Sequence, residues 1–276
     1  MSEPVAIGRA PWKRRDMIEA LEAFTRLYRQ RPIQDNTGGM FSPHMFAFWF
    51  ALKTLKPAAV IESGVWLGQG TWFIEQACPS AKLYCIDLNL KRIQYRSERA
   101  VYYDRDFTAI DWHHVPLEET ILFFDDHQNA FERVKAAHGF GFKQLIFEDN
   151  YPPSKGDCYS LKKAFMHTGF QPRSPKNGAL RTRLAESFKR LFGMSPPPQG
   201  AVAKTDQDAR YLFRNLETYY EFPPVFKSGR TRWGDVWEDR NYPTPPPLLS
   251  RVDIPFQRLF LDEAVYYTWI CYAKLR

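Results

Sequence analysis

The stretch that decides the fold is VIESGVWLGQG, residues 60–70. A short apolar run ends at Glu62, and three glycines follow it, namely Gly64, Gly68 and Gly70, before a segment whose composition predicts a helix. Gly64 allows a sharp turn, and the two later glycines allow a ligand to approach the backbone where a Cβ would block it. This strand–turn–helix order predicts a ligand site at the carboxyl end of the strand.

Outward from this motif, short apolar segments alternate with segments that predict helices, including a polar helix over 90–98. The predicted strands cover 58–63, 82–87, 100–103, 120–124 and 144–147. Strands of this kind are buried on both faces, and their alternation with helices is typical of a parallel sheet covered on both sides. The sequence therefore predicts an α/β fold with a doubly wound, mostly parallel sheet.

The two ends of the chain differ from this middle part. Two helices, over 16–31 and 42–55, precede the first strand, and the alternation fails after Pro152. Helices are predicted there over 180–192 and 206–219 among proline-rich loops, and a final strand over 266–275. We divide the chain into N-terminal helices that cover the ligand site (1–56), an α/β core (57–170), a helical, proline-rich cap that binds the acceptor substrate (171–262) and the terminal strand (263–276).

The composition is that of an ordinary globular protein, with 44% hydrophobic and 25% charged residues among 276. Lys and Arg exceed Asp and Glu by 38 − 31 = 7, but the cations are spread out and no nucleic-acid-binding signature accompanies them. We therefore expect a small-molecule partner, anionic or carbohydrate, and no nucleic acid. The longest apolar run, 45–52, is too short for a membrane span. Four cysteines without CxxC spacing predict reduced thiols in a cytoplasmic protein, and homo-oligomerisation stays open.

An acid at the end of the second strand indicates a nucleoside. Asp87 follows the glycine motif at the distance at which such an acid accepts both ribose hydroxyls. Nicotinamide-binding loops favour G-x-G-x-x-G, with a pyrophosphate at the helix N-terminus. Glu62 would repel a pyrophosphate but suits a cationic amino-acid group, which favours S-adenosylmethionine over a dinucleotide. Alternatively, the glycines only make a tight turn and Asp87 caps a helix.

A second group of acids follows the next two strands of the core. Asp125 and Asp126 come after one strand, and Glu148 and Asp149 after the other. Neighbouring parallel strands bring their carboxyl ends together, so these carboxylates should converge and repel unless a proton or a cation neutralises them. Hard oxygen ligands of this kind favour Mg²⁺. Alternatively, some of these acids cap helices and pair with nearby cations.

His127, directly after the first acidic pair, is a candidate general base, because an imidazole titrates near neutral pH and can accept a hydroxyl proton. Asp125 would assist it. The cations that could instead neutralise the acids are Lys155 and Arg133. A further segment of interest is the turn over 36–39, which could close over the ligand.

These residues resemble a known family. The segments VIESGVWLGQG, YCIDLN, FFDDHQNAFERV, LIFEDNYP and YYTWICYAKL look like those of class I S-adenosylmethionine-dependent methyltransferases. They are most similar to the metal-dependent branch called cephalosporin hydroxylase-like or macrocin O-methyltransferase-like. The resemblance covers about 57–165 and the last strand, and it is absent from 171–262. It implies a seven-stranded sheet, the Rossmann-like methyltransferase fold, whose last strand is antiparallel.

The resemblance also implies roles for single residues. Glu62 and Gly64 would lie near the methionine portion of the cofactor, and Asp87 on its ribose. Asp106 and Phe107 would lie near its adenine. The metal ligands would be drawn from the four acids Asp125, Asp126, Glu148 and Asp149.

The implied activity is methyl transfer to an oxygen of a small molecule such as a sugar or a glycosylated metabolite, with Mg²⁺ assistance. Two other functions remain open at this point. One is a nicotinamide-dependent oxidoreductase on the same fold class. The other is a non-catalytic glycan-binding module that uses aromatic side chains of 171–262.

Overall fold

The structure is a computed structural model of the 276-residue chain. It describes residues 10–153, 155–166, 205–232, 234 and 244–276. The predicted helix 180–192, the basic residues of 171–190 and part of the aromatic stretch 233–242 lie outside these ranges. The acceptor-binding role of the segment 171–262 therefore stays a prediction.

Helices and strands alternate through the core as the sequence predicts. The strands are β1 (Ala59–Ser63), β2 (Lys82–Ile86), β3 (Ala100–Tyr103), β4 (Thr120–Phe124), β5 (Gln144–Phe147), β6 (Leu216–Glu221) and β7 (Cys271–Leu275). The α-helices are α1 (Arg14–Tyr28), α2 (Ser42–Leu55), α3 (Gln69–Ala77), α4 (Ala130–Phe140), α5 (Leu161–Phe165), α6 (Thr205–Asn215) and α7 (Arg258–Asp262). Short 3₁₀ turns connect several of them.

The strands form one seven-stranded sheet in the order β3-β2-β1-β4-β5-β7-β6. The first five strands pair in parallel, and β7 is antiparallel to both β5 and β6. The fold class and the antiparallel last strand are confirmed. The strand order reverses between β1 and β4, where the carboxyl ends of neighbouring strands open onto one crevice, the usual position of a ligand in such sheets.

Two apolar layers cover the sheet and make it doubly wound. One face packs against α1, α2 and α3, with side chains such as Phe24, Phe48 and Phe73 in its core. The other face packs against α4, α5 and α6, with Phe107, Val134 and Leu212 in its core. The inward side chains of β1 and β4 alternate between the layers, as a period of two residues requires.

Helix α2 brings the N-terminal segment to the site. It begins at Ser42, has Pro43 in its first turn and is buried along most of its length. The backbone N–H of Ser42 donates to the Glu263 carboxylate at 2.8 Å, which satisfies one of the free N–H groups at this helix end. Because α2 is apolar all round, it forms part of the core rather than an exposed cover.

The predicted polar helix over 90–98 is wrong, since only a 3₁₀ turn at Leu90–Arg92 forms there. The backbone of this segment forms hydrogen bonds with a neighbouring loop instead of within a helix. The backbone N–H groups of Gln94 and Tyr95 both donate to the carbonyl of Leu67, at 2.9 and 3.0 Å. These two hydrogen bonds attach the segment to the glycine motif. They favour the loop over the helix that the polar residues alone would favour.

The predicted helix over 206–219 also differs from the structure. Helix α6 ends at Asn215, and the chain continues directly into β6, which pairs with β7. The β-branched and aromatic residues of LETYYE pack against the sheet, and this tertiary context overrides helix propensity. The segment 171–262 thus contributes a strand to the sheet, in addition to any part that covers it.

No helix among the described residues combines the length and the apolar character that a membrane span requires. The four cysteines are buried and unbridged.

Candidate functional site

A small cavity, open to solvent on one side, lies at the carboxyl ends of β1 and β4. It is bounded by the glycine motif, by the turn before α2 and by the first residue after β4. Its lining consists of Asn36, Gly39, Met40, Met45, Glu62, Gly64, Val65, Trp66, Gln69, Gly70 and Asp125. Two of these side chains are carboxyl groups and none is basic, so the wall of the cavity favours a cationic ligand group. We call this space the β1 cavity.

Two amide side chains of the β1 cavity have one spare polar atom each. The Ile33 N–H donates to the Gln69 Oε1 at 3.2 Å, and the Asn36 Nδ2 donates to the Met40 carbonyl at 2.9 Å. These backbone partners fix the orientation of both amides. Gln69 Nε2 and Asn36 Oδ1 are then left buried without a hydrogen-bond partner among the described residues. Because both residues line the cavity, these two atoms are candidate partners for a ligand that binds there.

Glu62 is the most deeply buried acid of the β1 cavity, with 1% exposure. Thr71 Oγ1 donates to its Oε2 at 2.5 Å, and Cys85 Sγ lies 3.6 Å from the same oxygen. Burial raises the pKa of Glu62 to about 8, because removal from water penalises the charged form more than these neutral donors favour it. A ligand cation beside Glu62 would reverse this balance.

The glycines of the motif serve chain packing. A Cβ at Gly64 would lie 2.0 Å from the Asp125 carbonyl oxygen, and Gly64 has a φ of +97°. A Cβ at Gly68 would lie 2.1 Å from the Tyr95 carbonyl oxygen. At Gly70 it would meet the Glu62 carboxylate at 2.2 Å. The expected ligand approach at Gly68 and Gly70 gives way to close contacts within the protein, although Gly64 and Gly70 line the cavity.

Asp87 does not line the β1 cavity. Its Oδ2 accepts from the backbone N–H groups of Val65 and Trp66 at 3.1 and 3.0 Å and from Arg92 Nη2 at 2.8 Å. Its Oδ1 accepts from the Asn89 N–H at 2.8 Å. Asp87 thus joins the loops that follow β1 and β2, a role not predicted from the sequence, and its ribose role stays a prediction.

Asp106 and Phe107 lie away from the β1 cavity. Arg133 binds both oxygens of Asp106, at 2.9 and 2.6 Å, and this cation and the Thr108 donors hold the pKa of Asp106 well below its usual range, against the opposing effect of burial. Phe107 has 0% exposure and stacks on Trp112 in the core. Phe107 is thus a core residue, and the structure does not bring it to a ligand site.

The second predicted acidic group is only partly assembled. Single ligand atoms of Asp125, His127 and Asp149 all lie within 4.8 Å of one another. Both carboxylate oxygens of Asp149 are buried, neither makes a well-aligned hydrogen bond among the described residues, and one of them lies 3.4 Å from His127 Nδ1. Burial and the charges of Glu148 and Asp149 raise the pKa of Asp125 well above its usual range. This acidic triad has the donors and the unsatisfied oxygens that a divalent cation requires.

The other two predicted metal ligands are engaged elsewhere. Asp126 accepts from Ser63 Oγ at 2.7 Å and pairs with Arg133 at 2.8 Å. Glu148 lies 2.6 Å from His44 Nδ1. Asp126 thus follows the alternative of pairing with a nearby cation, here Arg133.

His44 joins the N-terminal helices to the end of β5. The Thr268 N–H donates to its Nε2 at 2.8 Å, so its proton sits on Nδ1 and is donated to Glu148. Burial lowers the pKa of His44 to about 3 and keeps the ring neutral. His44 therefore acts as a hydrogen-bond bridge to a carboxylate of the site rather than as a cation.

His127 has an unusual backbone and an acidic environment. Its φ is +53°, which is rare for a side chain of this size, and its Nδ1 lies 3.4 Å from Asp149 and 3.1 Å from Asp157. The charge of Asp149, opposed by burial, raises the pKa of His127 well above its usual range. This shift favours the protonated ring, whereas a cation bound at the acidic triad would oppose protonation. The general-base role of His127 stays a prediction.

No protein-family model and no curated protein matches this chain. Solved structures with a similar fold include the O-methyltransferase TomG from Streptomyces achromogenes, in complex with S-adenosylmethionine, at 11% identity over 93% of this chain and 89% of that one, with a TM-score of 0.42. The methyltransferase PaMTH1 from Podospora anserina, bound to S-adenosylhomocysteine, matches at 13% identity over 75% of this chain and 83% of that one, with a TM-score of 0.43.

Sequence reasoning missed several site residues. Gln69 lies inside the glycine motif, and Asn36 was expected only as part of a closing turn. Nothing in their sequence context marks their free amide atoms, since these depend on backbone partners at Ile33 and Met40. The pairing of Asp87 with Arg92 was also missed, although a separation of five residues across a turn could have suggested it.

Proposed function

We propose that this chain is an S-adenosylmethionine-dependent methyltransferase that binds the methionine portion of its cofactor in the β1 cavity. The observation that carries the proposal is the polar lining of that cavity, which combines two carboxyl groups, an amide donor and an amide acceptor with no basic side chain. A dinucleotide pyrophosphate would bring negative charge against Glu62 and Asp125, which disfavours the oxidoreductase alternative.

The lining suits a zwitterionic amino-acid group that also carries a sulfonium. The ammonium would pair with Glu62 and Asn36 Oδ1. The carboxylate would accept from Gln69 Nε2 and from the first N–H groups of α3, whose N-terminus is at the cavity. The polar groups of the lining match only the amino-acid part of the cofactor, so the nucleoside would extend beyond this space.

An oxygen of a small-molecule acceptor would attack the methyl carbon in line with the C–S bond. That bond breaks as the O–C bond forms, S-adenosylhomocysteine leaves as a neutral thioether, and the hydroxyl proton of the acceptor is lost to a base or to water. Alignment of donor and acceptor can supply a large part of the rate enhancement in such a reaction.

The acidic triad of Asp125, His127 and Asp149 would hold a divalent cation, with Mg²⁺ as the first candidate. Such a cation would lower the pKa of an acceptor hydroxyl bound to it. An imidazole in the ligand set also suits transition-metal ions.

The residues of the chain have separable tasks in this proposal. Glu62 and Gln69 orient the donor. Asp125 lies on the boundary of both groups, because it lines the β1 cavity and belongs to the acidic triad. Asp125 would therefore contact both the cofactor and the cation that binds the acceptor. Its loss should impair cofactor binding and methyl transfer together.

The test is a calorimetric titration of the purified chain with S-adenosylmethionine and, separately, with NAD. We expect heat of binding for the first ligand only, and a weaker affinity in Glu62→Gln and Gln69→Ala. Asp104→Asn is the matched control, because Asp104 is an exposed acid outside the cavity. Binding of NAD without binding of S-adenosylmethionine would overturn the proposal.

A further inference from the structure

The Asp87 carboxylate has no room for a further pair of donors in the structure. Its Oδ2 accepts from three donors, the N–H groups of Val65 and Trp66 and the guanidinium of Arg92. A carboxylate oxygen has two lone pairs, so Oδ2 is saturated, whereas Oδ1 has only the Asn89 N–H. A vicinal diol that uses both oxygens must therefore displace one of the donors on Oδ2.

Of these donors, the guanidinium is the one that can leave. The N–H groups of Val65 and Trp66 belong to the turn that joins β1 to α3, and their movement would break up the glycine motif. Arg92 reaches Asp87 through a flexible side chain from a short 3₁₀ turn, and its side chain is 17% exposed. Rotation of that side chain into solvent costs its ion pair with a buried carboxylate and its contact with the Trp66 ring, but it breaks no backbone hydrogen bond.

The position of Arg92 is also incompletely satisfied. Its guanidinium lies 4.4 Å above the ring of Trp66, a residue that lines the β1 cavity. Its Nε is buried without a hydrogen-bond partner among the described residues. A buried unpaired N–H destabilises this conformation of Arg92. The free-energy cost for a ligand that displaces Arg92 from Asp87 is therefore lower.

We infer that Arg92 is a specificity-determining residue that occupies the ribose position at Asp87 and is displaced when a nucleoside binds. The inference rests on the proposed function, because it assigns the diol that competes with Arg92 to the ribose of the cofactor. The apparent affinity for a ribonucleoside is then lowered by the fraction of molecules in which Arg92 covers Asp87. Ligands without a vicinal diol gain nothing from displacing it.

The experiment compares Arg92→Met with the unmodified chain, using adenosine and 2′,3′-dideoxyadenosine as probes in calorimetry. Methionine keeps an apolar side chain over Trp66 but has no N–H donor. We expect Arg92→Met to bind adenosine about tenfold more tightly, as removal of one competing charge-assisted hydrogen bond predicts, and to bind the dideoxy analogue as before. Arg96→Met is the matched control, because Arg96 lies on the same segment at 4.4 Å from the Tyr102 ring and has no ion pair among the described residues.

Unchanged or weaker adenosine binding in Arg92→Met would overturn the inference, and so would an equal gain for both nucleosides, which would indicate a merely widened pocket. Arg92→Lys, which keeps the charge on a shorter donor, should give a smaller gain than Arg92→Met and guards against misfolding of that variant. S-adenosylhomocysteine separates the two levels of the proposal. If the unmodified chain binds it while Arg92→Met gains nothing for adenosine, only the role of Arg92 fails. If neither form binds it, the proposed function fails as well.

Discussion

The ends of β1 and β2 carry the two acids that the sequence singled out, and the structure treats them in opposite ways. Glu62 lies in a cavity with neutral donors and no cationic partner among the described residues, whereas Asp87 accepts from three backbone N–H groups and from Arg92. The first site is short of positive charge, and the second is saturated with donors. The contrast shows that an acid at a strand end is a candidate ligand-binding group only if the hydrogen-bond donors of the protein itself leave its oxygens available.

The largest effect should come from the glycine that closes the end of β1. In Gly64→Ala the new Cβ would lie 2.0 Å from the Asp125 carbonyl oxygen at a φ of +97°. We expect a loss of more than about 4 kcal/mol in the free energy of unfolding, from clash and backbone strain together. Gly139→Ala in α4, where no atom lies within 4 Å, should instead gain about 0.5 to 1 kcal/mol. Urea denaturation of both variants measures the difference, and similar values would contradict the packing role of Gly64.

The next effect concerns the saturated site itself. Asp87→Ala removes the acceptor of three backbone N–H groups and of Arg92, so we expect a loss of about 3 to 4 kcal/mol in the free energy of unfolding. Glu62→Gln should cost far less at pH 7, because it keeps an acceptor for Thr71 and removes a carboxyl whose charge is disfavoured. Equal losses in the two variants, measured by chemical denaturation, would remove the contrast between the sites.

A pH series sharpens the same contrast. Burial raises the pKa of Glu62 to about 8 from its ordinary value of 4.5. A carboxyl with a raised pKa binds its proton more tightly in the folded state, so its stabilising contribution is complete below about 4.5 and is lost as the pH rises through about 8. We expect the unmodified chain to lose stability relative to Glu62→Gln across that window, by up to about 1.4 kcal/mol for each pH unit. Parallel stability curves for the two proteins would show that Glu62 titrates normally.

The smallest effect concerns the acidic triad. A divalent cation at about ten times its Kd should stabilise the folded chain by about 1.4 kcal/mol, since it binds only the folded state. Thermal unfolding with Mg²⁺ or Mn²⁺ should show this gain in the unmodified chain but not in Asp149→Asn. Asp126→Asn is the control and should keep the gain, because Asp126 pairs with Arg133 and is not part of the triad. A gain that survives in Asp149→Asn would place the cation elsewhere.

The sequence predicted the architecture well, because local hydrophobic patterns determine buried strands. The bounds of β4 and β5 were predicted correctly, and so was the antiparallel β7 from the resemblance to methyltransferases. The failures are tertiary. The segment 90–98 binds the carbonyl of Leu67 instead of forming a helix, and 216–221 joins the sheet because β7 offers it an edge.

The site was predicted less completely than the fold. Strand ends located Glu62, Asp125 and Asp149 correctly at the crevice, because parallel strands align their carboxyl ends. The sequence could not predict which hydrogen-bond donors and cations each carboxylate would pair with. Arg133 neutralises Asp126 and Asp106, and this ion pairing depends on how α4 packs against the sheet.

The most direct test of the central claim is the number of protons released when S-adenosylmethionine binds at pH 7. Calorimetric titrations in buffers of different ionisation enthalpy measure this number. If the cofactor ammonium pairs with Glu62, whose pKa is raised to about 8, the unmodified chain should release close to one proton more than Glu62→Gln and bind more tightly. Equal proton release and equal affinity in the two proteins would contradict the assignment of the β1 cavity to a cationic cofactor.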